Sequence, residues 1–334
     1  MRLVVQIPCF NEEDHLPRVI AEIPRYIAGV DEVLVLVVDD GSRDRTAAAA
    51  REAGADAVAR HARNRGLAAA FRTGLDAALR LGADVIVNTD GDGQYAGAEI
   101  PRLIAPILAG QADLVVGDRA PGSAAHFSLS KRRLQGLGSW VVRQLSNTEV
   151  PDAPSGFRAF SRDAALRLNI VTTYSYTLET LIQAGTQRLA VSSVPITARA
   201  TGRRSRLARS MFDYVLRSLI TMGRAYAMYQ PVRVFVLTSL VILLPGLLGF
   251  LRFFWYYLQG ESGGHVQSLI FSAVLLIIGF QVGVLGLVAD LIAANRRLTE
   301  ETLYRVRRLE TTRPAIGATA DDRDTLEGRS TTHV

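Results

Sequence analysis

The chemistry in this chain is densest at Asn88-Thr-Asp-Gly-Asp-Gly-Gln94. Asp90 and Asp92 stand one residue apart, flanked by glycines that let a ligand approach the backbone closely. Two carboxylates this near repel one another unless a cation sits between them. Oxygen-only ligands favour Mg²⁺ or Mn²⁺. An acidic turn that binds nothing has the same local form, so the surroundings must decide between the two readings. A second cluster, Asp39-Asp40-Gly41-Ser42, has no need of a metal. A carboxylate there can accept from a base N–H or from ribose hydroxyls. Asn11 and Glu12, after Pro8, can close the other side of the same slot. Asp44 and Thr46 suit the cap of a following helix instead.

These clusters need a frame that brings them together, and the apolar pattern supplies one. Residues 3–7, 33–38, 85–87 and 114–116 are apolar runs of strand length bounded by polar, Gly or Pro residues. Helix-like stretches lie between them at 46–53, 67–81 and 100–108. Continuous rather than alternating apolar strands, separated by helices, predict an α/β fold with a mostly parallel sheet covered on both faces. A helix near 178–184 and a strand near 189–194 complete the domain. Every polar motif falls where a strand ends, and in open parallel sheets that carboxyl edge is where ligands bind. This convergence favours metal binding at Asp90 and Asp92.

The chain has 334 residues and a formal net charge of +6. Lys131 is the only lysine, so nearly all the positive charge is arginine. Arginine forks suit phosphates, although an Arg- and Ala-rich composition is also what a GC-rich genome produces. No nucleic-acid partner is expected. Cys9 stands alone, which excludes an intramolecular disulfide and a cysteine metal cluster. The five histidines show no metal-ligand spacing. The apolar stretch of MRLVVQIP is too short for a signal-peptide core, which predicts a first domain retained in the cytoplasm.

After residue 199 the composition shifts. Eight arginines between 199 and 233 face one acid, Asp213, with Leu207, Met211, Tyr214, Val215, Leu219, Met222, Tyr226 and Tyr229 interleaved at roughly helical spacing. Such a helix lies in a membrane interface and attracts anionic lipid; packing on its own domain is the alternative. Residues 234–251 and 269–289 carry no charge, and each is about long enough to cross ~30 Å of hydrocarbon. Pro245-Gly246 suits a kink in the first. The connection between the spans lacks Lys and Arg, whereas arginines flank the other ends, so both termini are expected in the cytoplasm. The resulting division is a catalytic domain over 1–205, an interface helix over 206–231, two membrane helices over 232–295 and a disordered cytoplasmic tail over 296–334. A homo-oligomer is compatible with this pattern but not specified by it.

IPCFNEE, VVDDGSRDRT, NRGLAAAFRTGL, TDGDGQ and VVGDR, in this order and spacing, resemble the family 2 glycosyltransferases of the GT-A nucleotide-diphospho-sugar transferase fold. PDAPSGFRAFSR and VPITARATGRRSRL are similar to the subgroup that makes polyprenyl-phosphate sugars, and paired membrane helices agree with its bacterial members. The resemblance covers roughly residues 1–210. It implies that Pro8, Phe10, Glu12, Val38, Asp39 and Asp40 line the nucleotide-sugar pocket, with Asp90 and Gly91 beside it. It implies a metal held by Asp90, Asp92 and Gln94, and phosphates of donor and acceptor met by Arg119, Arg132, Arg199 and Arg206. Asp152, Ser155, Gly156 and Glu179 fall in the acceptor loop region.

The expected activity is an inverting transfer of sugar from a UDP- or GDP-sugar donor to a membrane polyprenyl phosphate, at the cytoplasmic face of the cell's inner membrane. A lipid phosphate is largely dianionic at neutral pH and needs no general base. The alternative acceptor is a hydroxyl of a lipid-linked saccharide or glycolipid. That reaction needs a base, for which Asp152 and Glu179 are the candidates; a surface or helix-supporting role is the other reading of Glu179.

Overall fold

A computed structural model describes residues 1–119, 150–170, 176–199, 231–260 and 266–312. It divides into two compact units, Met1–Thr221 with Leu303–Val334, and Met222–Thr302.

In the first unit the elements run β1 (Arg2–Cys9), α1 (Leu16–Ala21), β2 (Glu32–Asp39), α2 (Thr46–Glu52), β3 (Ala57–Arg60), α3 (Leu67–Arg80) and β4 (Val85–Asn88). A short 3₁₀ turn, Gly97–Glu99, leads into α4 (Ile100–Leu108). Then follow β5 (Leu114–Asp118), β6 (Arg158–Ser161), α5 (Arg162–Arg167), α6 (Tyr176–Thr186) and β7 (Val191–Pro195). The strands form one sheet in the order β3-β2-β1-β4-β6-β5-β7. Its pairs are parallel except that β6 runs antiparallel to both β4 and β5.

The central strands are apolar on both faces because both faces are covered. Leu3, Val4, Val5 and Ile7 of β1 have no exposed surface, and Val35, Val37 and Val38 of β2 have none either. Helix α3 shows how the covering works. Ala68, Phe71, Leu75, Ala78 and Leu79 fall at helical spacing and are all buried. Its alanines let it ride close to the sheet, and Gly82, at φ 78°, turns the chain out of the helix. Phe71 is fully buried, worth about 1.5–3 kcal/mol. It stacks on Tyr176 of α6 at 3.9 Å and meets Phe160 of β6 edge-on at 5.7 Å.

Register decides where the polar motifs emerge. Cys9 lies opposite Asp39, Asp39 opposite Arg60, and Asn88 opposite Gln6. Arg158, the first residue of antiparallel β6, lies opposite both Asn88 and Val116. The segment entering β6 is therefore delivered to the same carboxyl edge as the loops leaving β1, β2, β4 and β5.

The second unit contains most of two long helices, α7 (Pro231–Leu258) and α8 (Val266–Thr312). Both are long and apolar enough to cross a membrane, with mean hydropathy of 2.5 and 2.4 in their most apolar windows. Helix α7 continues through Pro245 as a single element. The two pack through small side chains: Ser239 Oγ donates to the Gly279 carbonyl at 2.7 Å, and a Cβ on Gly283 would lie 3.1 Å from Ser239 Oγ.

The expectation of a disordered tail from residue 296 is corrected as far as Thr312, where α8 ends. Arg296 pairs with Glu300 at 2.7 Å one turn away. Further on, Tyr304 donates to Asp163 at 2.8 Å, and Arg307 donates to the Leu168 carbonyl at 2.8 Å and lies 3.3 Å from Asp76. A polar composition resembles disorder when its partners lie more than a hundred residues away. The interface helix expected over 206–231 falls outside the described residues, apart from its last position at the start of α7.

Candidate active site

The loops after β1 and β2 bind each other reciprocally. The Asn11 N–H donates to Ser42 Oγ at 2.9 Å, and the Arg43 N–H donates to Asn11 Oδ1 at 2.9 Å. The Glu12 N–H donates to Thr46 Oγ1 at 2.9 Å, and Asp44 accepts the Thr46 N–H at 3.0 Å. Asn11 adopts φ 54° to make this corner, a conformation asparagine tolerates better than most residues. Phe10 and Glu12 are half-buried at its mouth, while Pro8 and Val38 lie buried beneath.

Asp39 and Asp40, expected beside a nucleotide, both lie buried at the end of β2. Asp39 is fully buried and accepts the Ser42 N–H at 2.8 Å. Arg60 Nε lies 3.0 Å from its Oδ2 but is not aligned for a hydrogen bond. Asp40 is also buried, and it accepts the N–H groups of Arg65 and Gly66, each at 2.8 Å. Its Oδ1 lies 2.7 Å from His61 Nδ1, and His61 Nε2 lies 2.9 Å from Thr73 Oγ1. The physical reason is demand. The turn from β3 into α3 leaves backbone N–H groups without helical partners, and Asp40 is the acceptor that satisfies them.

Asp90 and Asp92 follow β4. Gly91 is required between them because a Cβ there would lie 2.7 Å from the Cys9 sulfur. Asp92 accepts the Gln94 N–H at 3.0 Å, which closes the turn, and the Gln94 carbonyl accepts the Arg199 N–H at 2.9 Å. Burial, and secondly the charge of Asp92, push the Asp90 carboxyl up to about 7; Arg119 offsets part of this. A pair of carboxyls in this state lacks a positive charge. Among the described residues no group of three or more His, Cys, Asp and Glu side chains converges. Two aspartates with Gln94 beside them offer oxygen ligands of the kind a hard divalent cation takes.

The segment entering β6 lies directly against Asp90. A Cβ on Gly156 would fall 3.0 and 3.1 Å from the Asp90 oxygens and 3.0 Å from Tyr176 Oη. The loop is held by a buried polar chain. Gln6 donates to Asn88 Oδ1 at 2.9 Å, and Asn88 Nδ2 donates to the Gly156 carbonyl at 2.8 Å and to Tyr176 Oη at 2.9 Å. Tyr95, stacked on Phe157 at 5.0 Å, receives the Gly156 N–H at 3.4 Å. Burial raises the Tyr95 phenol to about 12 and the Tyr176 phenol well above 10, so both remain protonated.

Arg158 was not singled out from sequence and is the main support of this loop. It is fully buried and donates to the carbonyls of Ser155 at 2.8 Å, Thr177 at 2.7 Å and Ala153 at 2.6 Å. Burial lowers its guanidinium to about 10, which still leaves it charged at neutral pH. The signal was a lone arginine in the apolar run FRAF, a position that only a fully hydrogen-bonded cation can occupy.

The remaining candidates separate by environment. Arg119 forks onto Asp152 at 2.7 and 2.8 Å, which occupies both carboxylate oxygens. Ser155 is fully buried within the same loop. Glu179 is buried in the first turn of α6 and accepts from Gln183 at 3.3 Å, so a surface role is excluded and a helix-supporting one fits. Arg199 pairs with both oxygens of Glu22 at 2.8 and 2.7 Å. Arg132 and Arg206 lie outside the described residues.

Comparison with known proteins fits this arrangement. The model of glycosyl transferase family 2 matches residues 4–168. The polyprenol monophosphomannose synthase of Mycolicibacterium smegmatis is 32% identical over 207 residues, covering 59% of this chain and 77% of that protein. The undecaprenyl-phosphate mannosyltransferase of Micrococcus luteus is 31% identical over 207 residues, covering 59% and 83%. Among solved structures, glucosyl-3-phosphoglycerate synthase from Mycobacterium tuberculosis, in complex with Mn²⁺, UDP-glucose and phosphoglyceric acid, superposes with a TM-score of 0.52 at 26% identity. That match covers 66% of this chain and 79% of the other. With the GT-A sheet, its acidic edge and these relatives together, the chain belongs to the family 2 glycosyltransferases, in the group of polyprenyl-phosphate sugar synthases.

Proposed function

We propose that this chain transfers a sugar, with inversion, from a nucleotide-diphosphate donor to a polyprenyl phosphate at the cytoplasmic face of the cell's inner membrane. The observation that carries the reading is the abutment of Gly156 on Asp90, which sets the segment that resembles the family's acceptor loop directly beside the carboxylates that would hold the donor's cation. The residues fit a divalent cation, Mg²⁺ or Mn²⁺. Asp90 and Asp92 would hold it, with Gln94 beside them. When bound, such a cation would offset the charge gathering on the departing diphosphate.

The chain's own residues favour a phosphate acceptor over a hydroxyl. A hydroxyl must lose a proton to a base. Asp152 is engaged on both oxygens by Arg119, Glu179 is buried on α6, and the two phenols remain protonated. A phosphate monoester, with its second pKa near ~6, arrives as a nucleophile already deprotonated. Its oxygen forms the new bond to the anomeric carbon as the donor's glycosidic C–O bond breaks, and the nucleoside diphosphate leaves with that electron pair. The difficulty is repulsion between two anions, which Arg119 and Arg199 would relieve by binding them side by side.

The two apolar helices suit a substrate that cannot leave the bilayer, and the arginine-rich segment before them would gather anionic lipid head groups. The test is to incubate detergent-purified protein with undecaprenyl phosphate, Mn²⁺ and a panel of UDP- and GDP-sugars, then to analyse the lipid extract by mass spectrometry. A polyprenyl monophosphate heavier by one sugar residue supports the reading and names the donor. No such product from any donor, with metal-dependent nucleotide-sugar binding intact, would transfer the assignment to a saccharide hydroxyl.

A further inference from the structure

Among the described residues of the second unit, a polar side chain stands within the apolar run of α8 without a partner. Gln281 lies on α8 within the charge-free run 269–289. It is exposed, and it has no hydrogen-bond partner among the described residues. The face of α8 that meets α7 lies elsewhere on the helix. Gly279 carries the carbonyl that Ser239 bonds, Gly283 packs on Ser239, and a Cβ on Gly286 would lie 2.8 Å from the Phe235 side chain. Around Gln281 the helix presents Ile277, Ile278, Val284, Leu285 and Val288, all exposed hydrophobics.

If α8 spans the bilayer, as the functional reading requires, Gln281 sits deep in hydrocarbon. The first charged residue beyond it is Asp290, nine positions on and roughly 13 Å along the axis at ~1.5 Å per residue. The short glutamine stem cannot carry its amide that far. A primary amide left without partners in lipid is costly, and such residues face other protein.

We infer that Gln281 marks a lipid-facing surface through which a second copy of this chain docks in the membrane. The amide is self-complementary, with two N–H donors and one carbonyl acceptor. Every copy enters the bilayer in the same orientation, so its Gln281 stands at the same depth by construction. Two helices crossing about a two-fold axis near this residue satisfy each other's amides while the flanking Ile, Val and Leu side chains pack. An acyl or polyprenyl chain offers no such partner.

The test uses the full chain in native membranes. Gln281→Cys is oxidised with copper phenanthroline beside two controls: Phe280→Cys, exposed but about 100° around the helix, and Leu275→Cys, on the face against Gly246. A disulfide-linked species of twice the chain mass for Gln281→Cys, well above both controls, supports the inference. Fluorescently labelled chains reconstituted in liposomes then give the association constant. Gln281→Leu weakens it about 3- to 20-fold, the range of one interhelical side-chain hydrogen bond, and Gln281→Asn restores part of the loss. Cross-linking no greater than at Phe280, a product of other mass, or a Gln281→Leu protein that associates normally would overturn it. Alkaline carbonate extraction keeps the two readings apart. Release of the chain refutes the membrane assignment itself, whereas a retained chain that stays monomeric refutes only the dimer.

Discussion

Removing the negative charge at Asp90 should stabilise the metal-free enzyme. The Asp90 carboxyl is raised from 3.8 to about 7, first by burial and then by Asp92. The folded state therefore holds a proton that the unfolded chain releases between about pH 4 and 7. With the folded pKa raised, the associated stability is complete below pH 4 and is lost as pH climbs through 7. The full step is worth about 4 kcal/mol at ~1.4 kcal/mol per pH unit. Because Asp90 is only partly buried by surface area, about 2 kcal/mol is the better figure once solvent screening is allowed for. For a domain of this size that is about 4–8 °C in Tm. Thermal unfolding of detergent-solubilised wild type and Asp90→Asn, in EDTA, at pH 5 and pH 8 measures it. The variant should melt higher at pH 8 and show a smaller difference at pH 5. Added Mn²⁺ should raise the wild type and leave the variant nearly unmoved. An Asp90→Asn protein less stable than wild type in EDTA at pH 8, or equal stabilisation of both by Mn²⁺, would refute the picture of a carboxyl pair in need of a cation.

Gly156→Ala would drive a methyl against the Asp90 oxygens and Tyr176 Oη. Apparent Mn²⁺ affinity, read from activation curves, should fall about 10-fold or more; unchanged affinity would separate the acceptor loop from the metal pair. Arg119→Lys keeps the charge but loses the fork onto Asp152. Its kcat/KM for lipid phosphate should drop about 10-fold while the donor KM holds, and equal losses for both substrates would assign Arg119 to folding. Glu179→Gln should slow turnover only a few-fold, consistent with a helix-supporting group, without moving the pH profile; complete loss in a folded protein would restore a base-dependent acceptor. Glu22→Gln releases Arg199 from an exposed pair worth about 0.2–1 kcal/mol, so the donor KM should fall about 1.5- to 5-fold. A rise instead would make the Arg199–Glu22 pair part of the bound geometry.

The fold was most legible where burial on both faces forces an unbroken apolar run. The runs at 3–7, 33–38, 85–87 and 114–116 each lie inside an observed strand, and 100–108 is helix α4 itself. What escaped notice lacks that signature. β3 is the four-residue edge strand Ala57–Arg60, too short and too alanine-rich to stand out, and α1 is six residues with a proline near its start. β6 has an arginine at its first position, which a pattern reading treats as solvent-facing. Nothing local announced that β6 runs antiparallel, yet that reversal is what brings Gly156 to Asp90. In the site, Asp90 and Asp92 stood out because two acids one residue apart beside glycines repel one another unless a cation lies between them. The part Asp40 plays in shaping the turn into α3 left no mark in the sequence, because its partners there, the Arg65 and Gly66 N–H groups, are backbone.

The same limit applies to the arginines, which make up nearly all of this chain's positive charge and look alike in sequence. Environment sorts them. Arg158 is fully buried, with its guanidinium spent on carbonyls of the segment entering β6 and of α6. Stripping those acceptors away would leave a buried charge at a cost of about 3–5 kcal/mol, so this residue stays where it is during turnover. Arg199 is 43% exposed and Glu22 27% exposed, and a pair of that kind exchanges one anion for another at little cost. Arg119 lies between these extremes, partly exposed but fixed by two parallel bonds to a nearly buried carboxylate. A site that must accept two anions and release one needs both kinds of cation. In the proposed reaction, fixed arginines would hold the loops in register with Asp90, and an exchangeable one would follow the diphosphate as it leaves. Which arginine plays which part depends on how deeply each is buried and on what else competes for it, and neither quantity is written in the residue's name.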